Sequence, residues 1–116
     1  MHDKELVHRD LQPKHIDYDF NGNAKISGLS HVYLFEKEEL KISKSPNFEM
    51  RSPAPEMVNV TDVGYGKPVD IWSIGILAYE MATGSHESKD VLLDQPYLLP
   101  EGRFSPVYQA FIQKCL

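Results

Sequence analysis

The strongest hydrophobic pattern in the chain follows Pro68. Ten apolar residues surround the predicted helix axis and do not keep to one stripe: Val69, Ile71, Trp72, Ile74, Ile76, Leu77, Ala78, Tyr79, Met81 and Ala82. Proline is favoured in the first helical turn and glycine just after the last, so Pro68 and Gly84 mark the two ends. The pattern predicts an interior helix, because apolar residues on every side require neighbours on every side.

A second helix is predicted after Ser105. Ser105 is a favoured N-cap residue, and Pro106 occupies the first helical position. The apolar residues predicted to share one face are Val107, Ala110, Phe111 and Cys115. The sequence therefore indicates an amphipathic helix whose apolar face these residues form.

Asn21-Gly22 lies between two short runs with β-branched or aromatic residues and predicts a β-hairpin, with strands at about residues 15–19 and 24–27. From Ser30 to Arg51 the periodicity is lost, charges cluster in FEKEELK, and turn residues occur in SKSPN. We interpret this stretch as a long surface loop, which is uncommon unless functional. Ser45 before Pro46 is open to two interpretations, a phosphorylation site or a plain turn.

Composition and charge narrow the class of protein. The 116 residues carry 17 acidic and 12 basic side chains, a net charge of −5 that does not favour nucleic-acid binding. Cys115 is the single cysteine, so neither an intrachain disulfide nor a cysteine-based zinc cluster is expected. The N-terminal residues lack an apolar signal core, and the longest apolar run contains Glu80 and is too short for a bilayer. We expect at most one domain, in the cytosol or nucleus and not inserted in a membrane.

Four short motifs occur in a fixed order along the chain: His8-Arg9-Asp10-Leu11 followed by Pro13, then AKISGLS, then Ala54-Pro55-Glu56, then Asp70-Ile71-Trp72-Ser73-Ile74-Gly75. Together they resemble the C-terminal lobe of a protein kinase, from its catalytic loop to a late helix. The resemblance covers nearly all of residues 1–116 and implies an α+β, mainly helical fold with a small hairpin and a long activation-type loop. No Gly-rich loop or strand lysine precedes these motifs, so a partial kinase domain without its N-terminal lobe is expected.

Finer features point to one branch of that family. The segment YGKPVDIWSIGILAYEMATG is most similar to the sterile-20 branch of serine/threonine kinases. Within that branch, SGL in place of a metal-binding motif and His15-Ile16 after QPK resemble the STE20-related adaptor pseudokinases.

The resemblance implies a role for each matching position. Asp10 matches the base that accepts the substrate hydroxyl's proton, and Arg9 matches the arginine that meets charge on the activation loop. His15 stands in place of an asparagine and Gly28 in place of an aspartate, the two residues that carry Mg²⁺ in the family. Imidazole suits softer metals than Mg²⁺, so both magnesium ligands are expected to be lost. No metal site and no cofactor is expected.

Three further departures concern phosphate, substrate and adenine. Gln12 replaces a lysine that contacts the transferred phosphate, and Glu49 replaces a threonine that ties the substrate platform to the base. Asp17 stands where the family has an apolar residue under the adenine ring, and an ionised carboxylate packed there is costly unless paired or protonated. We interpret the ATP site as degenerate.

Other matches are structural, and two remain open. His8, Leu29 and Asp70 match positions that form or anchor the family's interior, and Glu56 matches an acid whose arginine partner lies beyond this sequence. Asp10 is either a surviving catalytic base or a loop aspartate that satisfies nearby backbone donors. His15 is either a transition-metal ligand or a polar loop residue.

Three functions follow from the resemblance. The first is an inactive pseudokinase-like adaptor or allosteric activator, with a partner protein kinase and a scaffold protein as its partners. The second is a serine/threonine kinase that uses Mg-ATP and is represented here by a fragment. The third is a truncated product without function. Because the apolar helix would lack a neighbour, the chain should also self-associate, bind a partner or be only marginally folded.

Overall fold

The computed structural model describes residues 1–36, 41–43, 50–58, 64–84 and 97–116. Ser45 and Glu49, and with them most of FEKEELK, lie outside these residues. The strands are β1 (Leu6–Val7), β2 (Ile16–Tyr18), β3 (Ala24–Ile26) and β4 (Tyr33–Leu34), and the helices are α1 (Pro55–Val58), α2 (Pro68–Thr83) and α3 (Pro106–Cys115). Short 3-10 helices occupy His2–Lys4, Pro13–His15 and Leu29–His31.

The predicted hairpin is confirmed as the antiparallel pair β2–β3, with Ile16 opposite Ile26 and Asp17 opposite Lys25. Asp19 organises its turn, because its carboxylate accepts hydrogen bonds from the backbone N–H groups of Asn21 and Asn23, both at 2.9 Å. The Asn23 side-chain amide also donates to this carboxylate, and together with the Asn23 backbone bond it lowers the pKa of Asp19 below its ordinary value.

The stretch from Ser30 to Arg51 is not wholly a surface loop, and for its described residues that prediction was partly wrong. β4 pairs with β1, with Tyr33 opposite Val7. Phe35 is 5% exposed, Ile42 is 4% exposed, and Ile42 forms a bridge with Tyr65. The reason is the run Val32-Tyr33-Leu34-Phe35, whose β-branched and aromatic side chains favour a strand on a buried surface.

The long helix α2 begins and ends as predicted. Pro68 lies in its first turn, and Gly84 ends it in a left-handed conformation with φ 68°, donating its N–H to the Glu80 carbonyl. Its burial is incomplete, because Ile71 and Ile74 are about two-fifths exposed and Met81 is 73% exposed, which agrees with the expectation that this apolar helix lacks a neighbour. Within the described residues no helix has both the length and the apolarity that crossing a membrane requires.

Helix α3 has the predicted start but a different buried face. The Ser105 hydroxyl accepts from the Tyr108 backbone N–H, which confirms the N-cap. Val107 is 79% exposed and Phe111 42% exposed, whereas Ile112 is fully buried. The predicted face was wrong except at Cys115, which is half-buried and lies against Gly75 of α2. Tyr108, Ile112 and Leu116 form an alternative stripe at helical spacing, and this stripe packs on α2.

Two hydrophobic clusters hold these elements together. The larger joins β1, the segment after β4, α1 and the first half of α2 through Val7, Phe35, Ile42, Ala54, Met57, Tyr65, Val69, Trp72 and Ile76. The smaller joins α2 to α3 through Ala78, Leu99 and Ile112. The loop between β1 and β2 is therefore fixed at one end by the larger cluster.

Candidate functional site

The buried carboxylate of Asp70 holds the start of the loop that follows β1. Its Oδ2 accepts from the His8 backbone N–H at 2.8 Å, and its Oδ1 accepts from the Arg9 backbone N–H at 2.9 Å. His2 Nε2 lies 2.8 Å from the same carboxylate. Arg9 has a φ of 68°, a costly conformation for a residue with a side chain, and the contact with Asp70 fixes it there.

The Arg9 side chain ties three segments together. Its Nε donates to the His31 carbonyl at 2.7 Å, and its Nη1 donates to the Tyr65 hydroxyl at 3.2 Å. The guanidinium carbon also lies 5.4 Å from the centroid of the Tyr33 ring. Within the described residues the guanidinium therefore contacts the loop and strand residues around it. Its expected contact with charge on the activation loop stays a prediction.

Asp10 is buried, at 8% exposure, and contacts its own loop. Its Oδ1 accepts from the Gln12 side-chain amide at 2.6 Å, and its Oδ2 lies 3.5 Å from Nδ1 of His15. Its backbone N–H donates to Nδ1 of His8 at 3.2 Å. Gln12, which is expected to stand in place of a phosphate-contacting lysine, thus lies against the carboxylate at the expected catalytic-base position.

The hydrogen bonds assign the tautomers of two neighbouring histidines. Nδ1 of His15 lies 2.8 Å from the Asp10 carbonyl, which can only accept, so this nitrogen carries a proton. Because Nδ1 of His8 accepts from Asp10, its Nε2 donates to the Ser27 carbonyl at 2.8 Å. The Nδ1–H of His15 therefore points at the Asp10 carbonyl, and the Nε2–H of His8 points at the Ser27 carbonyl.

The His15 ring lies against Gly28. Gly28 has a φ of 70° and precedes the 3-10 helix Leu29–His31. A Cβ placed on Gly28 would lie 2.6 Å from Nε2 of His15, and nearer still to two ring carbons, Cδ2 and Cγ. Carbon atoms pack at about 3.5–4.0 Å, so the ring occupies the space that a side chain at position 28 would need.

The residues present do not fit an oxygen-ligand magnesium site. Mg²⁺ favours octahedral coordination by oxygen atoms, whereas the two positions that match the family's metal ligands hold an imidazole and a residue without a side chain. Over the part of the chain that the structure describes, no three His, Cys, Asp or Glu side chains come close enough together to hold a metal ion.

The other expected site residues are placed as follows. Asp17 is exposed on β2, opposite Lys25, and Glu56 is exposed in α1. Leu29 is 59% exposed and belongs to neither hydrophobic cluster, so the expectation that it joins the interior was wrong for the described residues. The turn that begins at Gly28 places the Leu29 side chain outside both clusters.

A groove beside Asp10 was not predicted. It has about 390 Å³ of empty space, open solvent included, and contacts the catalytic-type loop, α1 and α2. Arg51 and Glu80 pair across it, with Arg51 Nη2 lying 2.9 Å from Glu80 Oε1. Glu80, which lies among apolar residues in the second half of α2, was the available signal, since a buried acid requires a partner.

Comparison with known proteins gives the family. The family model described as the protein kinase domain matches residues 1–97. Mitogen-activated protein kinase kinase kinase 1 of Arabidopsis thaliana is 37% identical over 92 residues, covering 78% of this chain and 15% of that protein. Mitogen-activated protein kinase kinase 2 of the same plant is 32% identical over 133 residues, covering 99% and 35%. Serine/threonine-protein kinase pakH of Dictyostelium discoideum is 30% identical over 128 residues, covering 100% and 24%.

The chain belongs to the protein kinase domain family. It spans between 15% and 35% of the length of these relatives.

Proposed function

We propose that this chain is a catalytically inactive, kinase-derived adaptor or allosteric activator of a partner protein kinase, related to the sterile-20 adaptor pseudokinases and formed by the C-terminal lobe. One observation carries the inactivity: the His15 ring fills the space beside Gly28 in which the family places a metal-binding carboxylate. The loss of both metal ligands removes the charge neutralisation on which phosphoryl transfer depends. Such an adaptor would act in the cytosol or nucleus.

The adaptor part of the proposal is supported by the surface of α2. Ile71, Ile74 and Met81 expose apolar area on this helix. Exposed apolar surface of this kind is typical of sites that bind another protein chain. A partner kinase, a scaffold protein or a second copy of this chain would each bury it.

A second candidate is a serine/threonine kinase. It is favoured by Asp10, which is retained at the base position and lines the open groove that α1 and α2 help to form. Under this alternative the nucleotide would be Mg-ATP. The Gln12 amide bonds only Oδ1 of Asp10, so the rest of the carboxylate would accept the substrate proton.

Calorimetry with Mg-ATP tests the proposal of inactivity. We expect no heat of binding when Mg-ATP is injected into the chain, because His15 and Gly28 supply no oxygen ligand for the metal. A kinase that binds Mg-ATP, titrated from the same stock, is the positive control. A micromolar dissociation constant that disappears when EDTA removes the metal would contradict the proposal of inactivity.

Repair of the metal ligands alone should not restore activity. The double variant His15→Asn/Gly28→Asp would regain both oxygen ligands and free the space beside position 28. It still carries uncharged Gln12 at the phosphate-contacting position and Asp17 at the adenine position, so we expect no phosphate transfer to a generic protein substrate above background. The triple variant with Gln12→Lys is the matched comparison. Measurable transfer by the double variant would show that the metal ligands alone were limiting.

A further inference from the structure

The turn from Ser27 to His31 is held against the catalytic-type loop at three places. At its start, Nε2 of His8 donates to the Ser27 carbonyl at 2.8 Å. At its end, Nε of Arg9 donates to the His31 carbonyl at 2.7 Å. Between them the ring of His15 lies in the space beside Gly28. The two outer contacts are hydrogen bonds, whereas the middle contact is steric.

A hydrogen bond holds the His15 ring where it lies. Its Nδ1 bonds the Asp10 carbonyl at 2.8 Å. The backbone of the same residue accepts from the Ser27 N–H at 2.9 Å, and β2 begins at the next residue. A side chain at position 28 would therefore meet a ring fixed by its own hydrogen bond and by its backbone.

We propose that His15 and Gly28 form an interlock, in which the imidazole takes the place of a residue-28 side chain and thereby fixes the Ser27–His31 turn on the loop that carries Asp10. The interlock is a steric device built into the fold and holds whether or not the chain is an enzyme. Its consequence is that positions 15 and 28 depend on each other: a side chain at 28 is tolerated only when the ring at 15 is removed.

A simpler explanation for Gly28 is its backbone conformation alone. A φ of 70° disfavours any residue with a Cβ, whatever its surroundings. Gly22 offers the matched control, because its φ is 81° and a Cβ there would meet nothing within 4 Å. Alanine at position 22 measures the cost of the conformation, and alanine at position 28 measures that cost together with the collision.

The test is a double-mutant cycle on the full chain. It compares the midpoints of thermal unfolding of four chains: the wild type, Gly28→Ala, His15→Ala and His15→Ala/Gly28→Ala. The control is Gly22→Ala, measured with His15 present and again with His15→Ala. We expect Gly28→Ala to lower the midpoint by at least about 4 °C more than Gly22→Ala does when His15 is present. In the His15→Ala background this excess should largely disappear, while the effect of Gly22→Ala should not change.

An equal loss from Gly28→Ala in the two backgrounds would overturn the interlock. If Gly28→Ala does not fold, a folded His15→Ala/Gly28→Ala chain supports the proposal, and an unfolded double variant beside a folded His15→Ala chain overturns it. Hydrogen exchange of the Ser27 and Val32 amides gives a second readout, since these amides bond His15 and Leu29. Their protection should fall in Gly28→Ala and return in the double variant, and unchanged protection in Gly28→Ala would count against the interlock.

Discussion

Replacing Asp70 with alanine should lower the free energy of unfolding by about 3–5 kcal/mol, the range for breaking a buried, hydrogen-bonded charged contact. Its carboxylate, at 2% exposure, accepts from the backbone N–H groups of His8 and Arg9 and contacts His2. The variant would leave two backbone donors without their acceptor, and an unsatisfied buried donor costs about 1–3 kcal/mol. Since a whole domain is stable by only about 5–15 kcal/mol, this is a large fraction of the total.

Urea unfolding followed by circular dichroism measures this effect. Asp17→Ala is the matched control, because Asp17 is an exposed aspartate on β2, and it should change the midpoint little. Hydrogen exchange should also show that the His8 and Arg9 amides lose their protection in Asp70→Ala. Stability within about 0.5 kcal/mol of the wild type would mean that the catalytic-type loop does not depend on this carboxylate.

The change Trp72→Glu should destabilise the chain at least as much. The Trp72 side chain is 8% exposed, belongs to the larger hydrophobic cluster and packs edge-on against Tyr97, with ring centroids 6.1 Å apart. Loss of a buried aromatic side chain costs about 3–5 kcal/mol, and the glutamate would add the cost of burying a charge. We expect the Trp72→Glu variant to lack a folded core at 25 °C and therefore to show no cooperative unfolding transition.

Ile71→Glu is the control for this prediction, because Ile71 precedes Trp72 on α2 and is 41% exposed. It should leave thermal unfolding nearly unchanged. If exposed α2 surface mediates self-association, Ile71→Glu should also reduce the sedimentation coefficient measured at micromolar concentration. A Trp72→Glu chain that melts with the wild-type midpoint would show that the larger cluster does not depend on this residue.

The parts of the fold that were predicted correctly are those that local chemistry controls. Pro68 and Gly84 mark the ends of α2, Ser105 caps α3, and Asn21-Gly22 lies in the hairpin turn. Each effect depends on the φ preference or hydrogen bonding of a residue and its near neighbours, so a single sequence is enough to read it. The ordered motifs likewise indicated the kinase family, which the family match over residues 1–97 confirms.

The parts that were missed depend on how separate segments pack. Two apolar stripes of α3 were available, and contact with α2 selected the one that contains Ile112. The residues around Tyr33 favour a strand on a buried surface, and β1 supplies the partner strand there. A pattern of residues along one helix or segment does not specify which neighbour covers it, so the buried faces required the tertiary structure.

The same distinction between local sequence and tertiary packing applies to the candidate site. The sequence by itself determined that a histidine stands at position 15, that a residue without a side chain stands at position 28, and that Asp10 is retained between His8 and Gln12. Only the tertiary structure decided that the His15 ring lies in the space beside Gly28 and that the Gln12 amide bonds the Asp10 carboxylate. The physical reason is that residue identity fixes which donors, acceptors and volumes exist, whereas the packing of the turn on the loop fixes which of them meet.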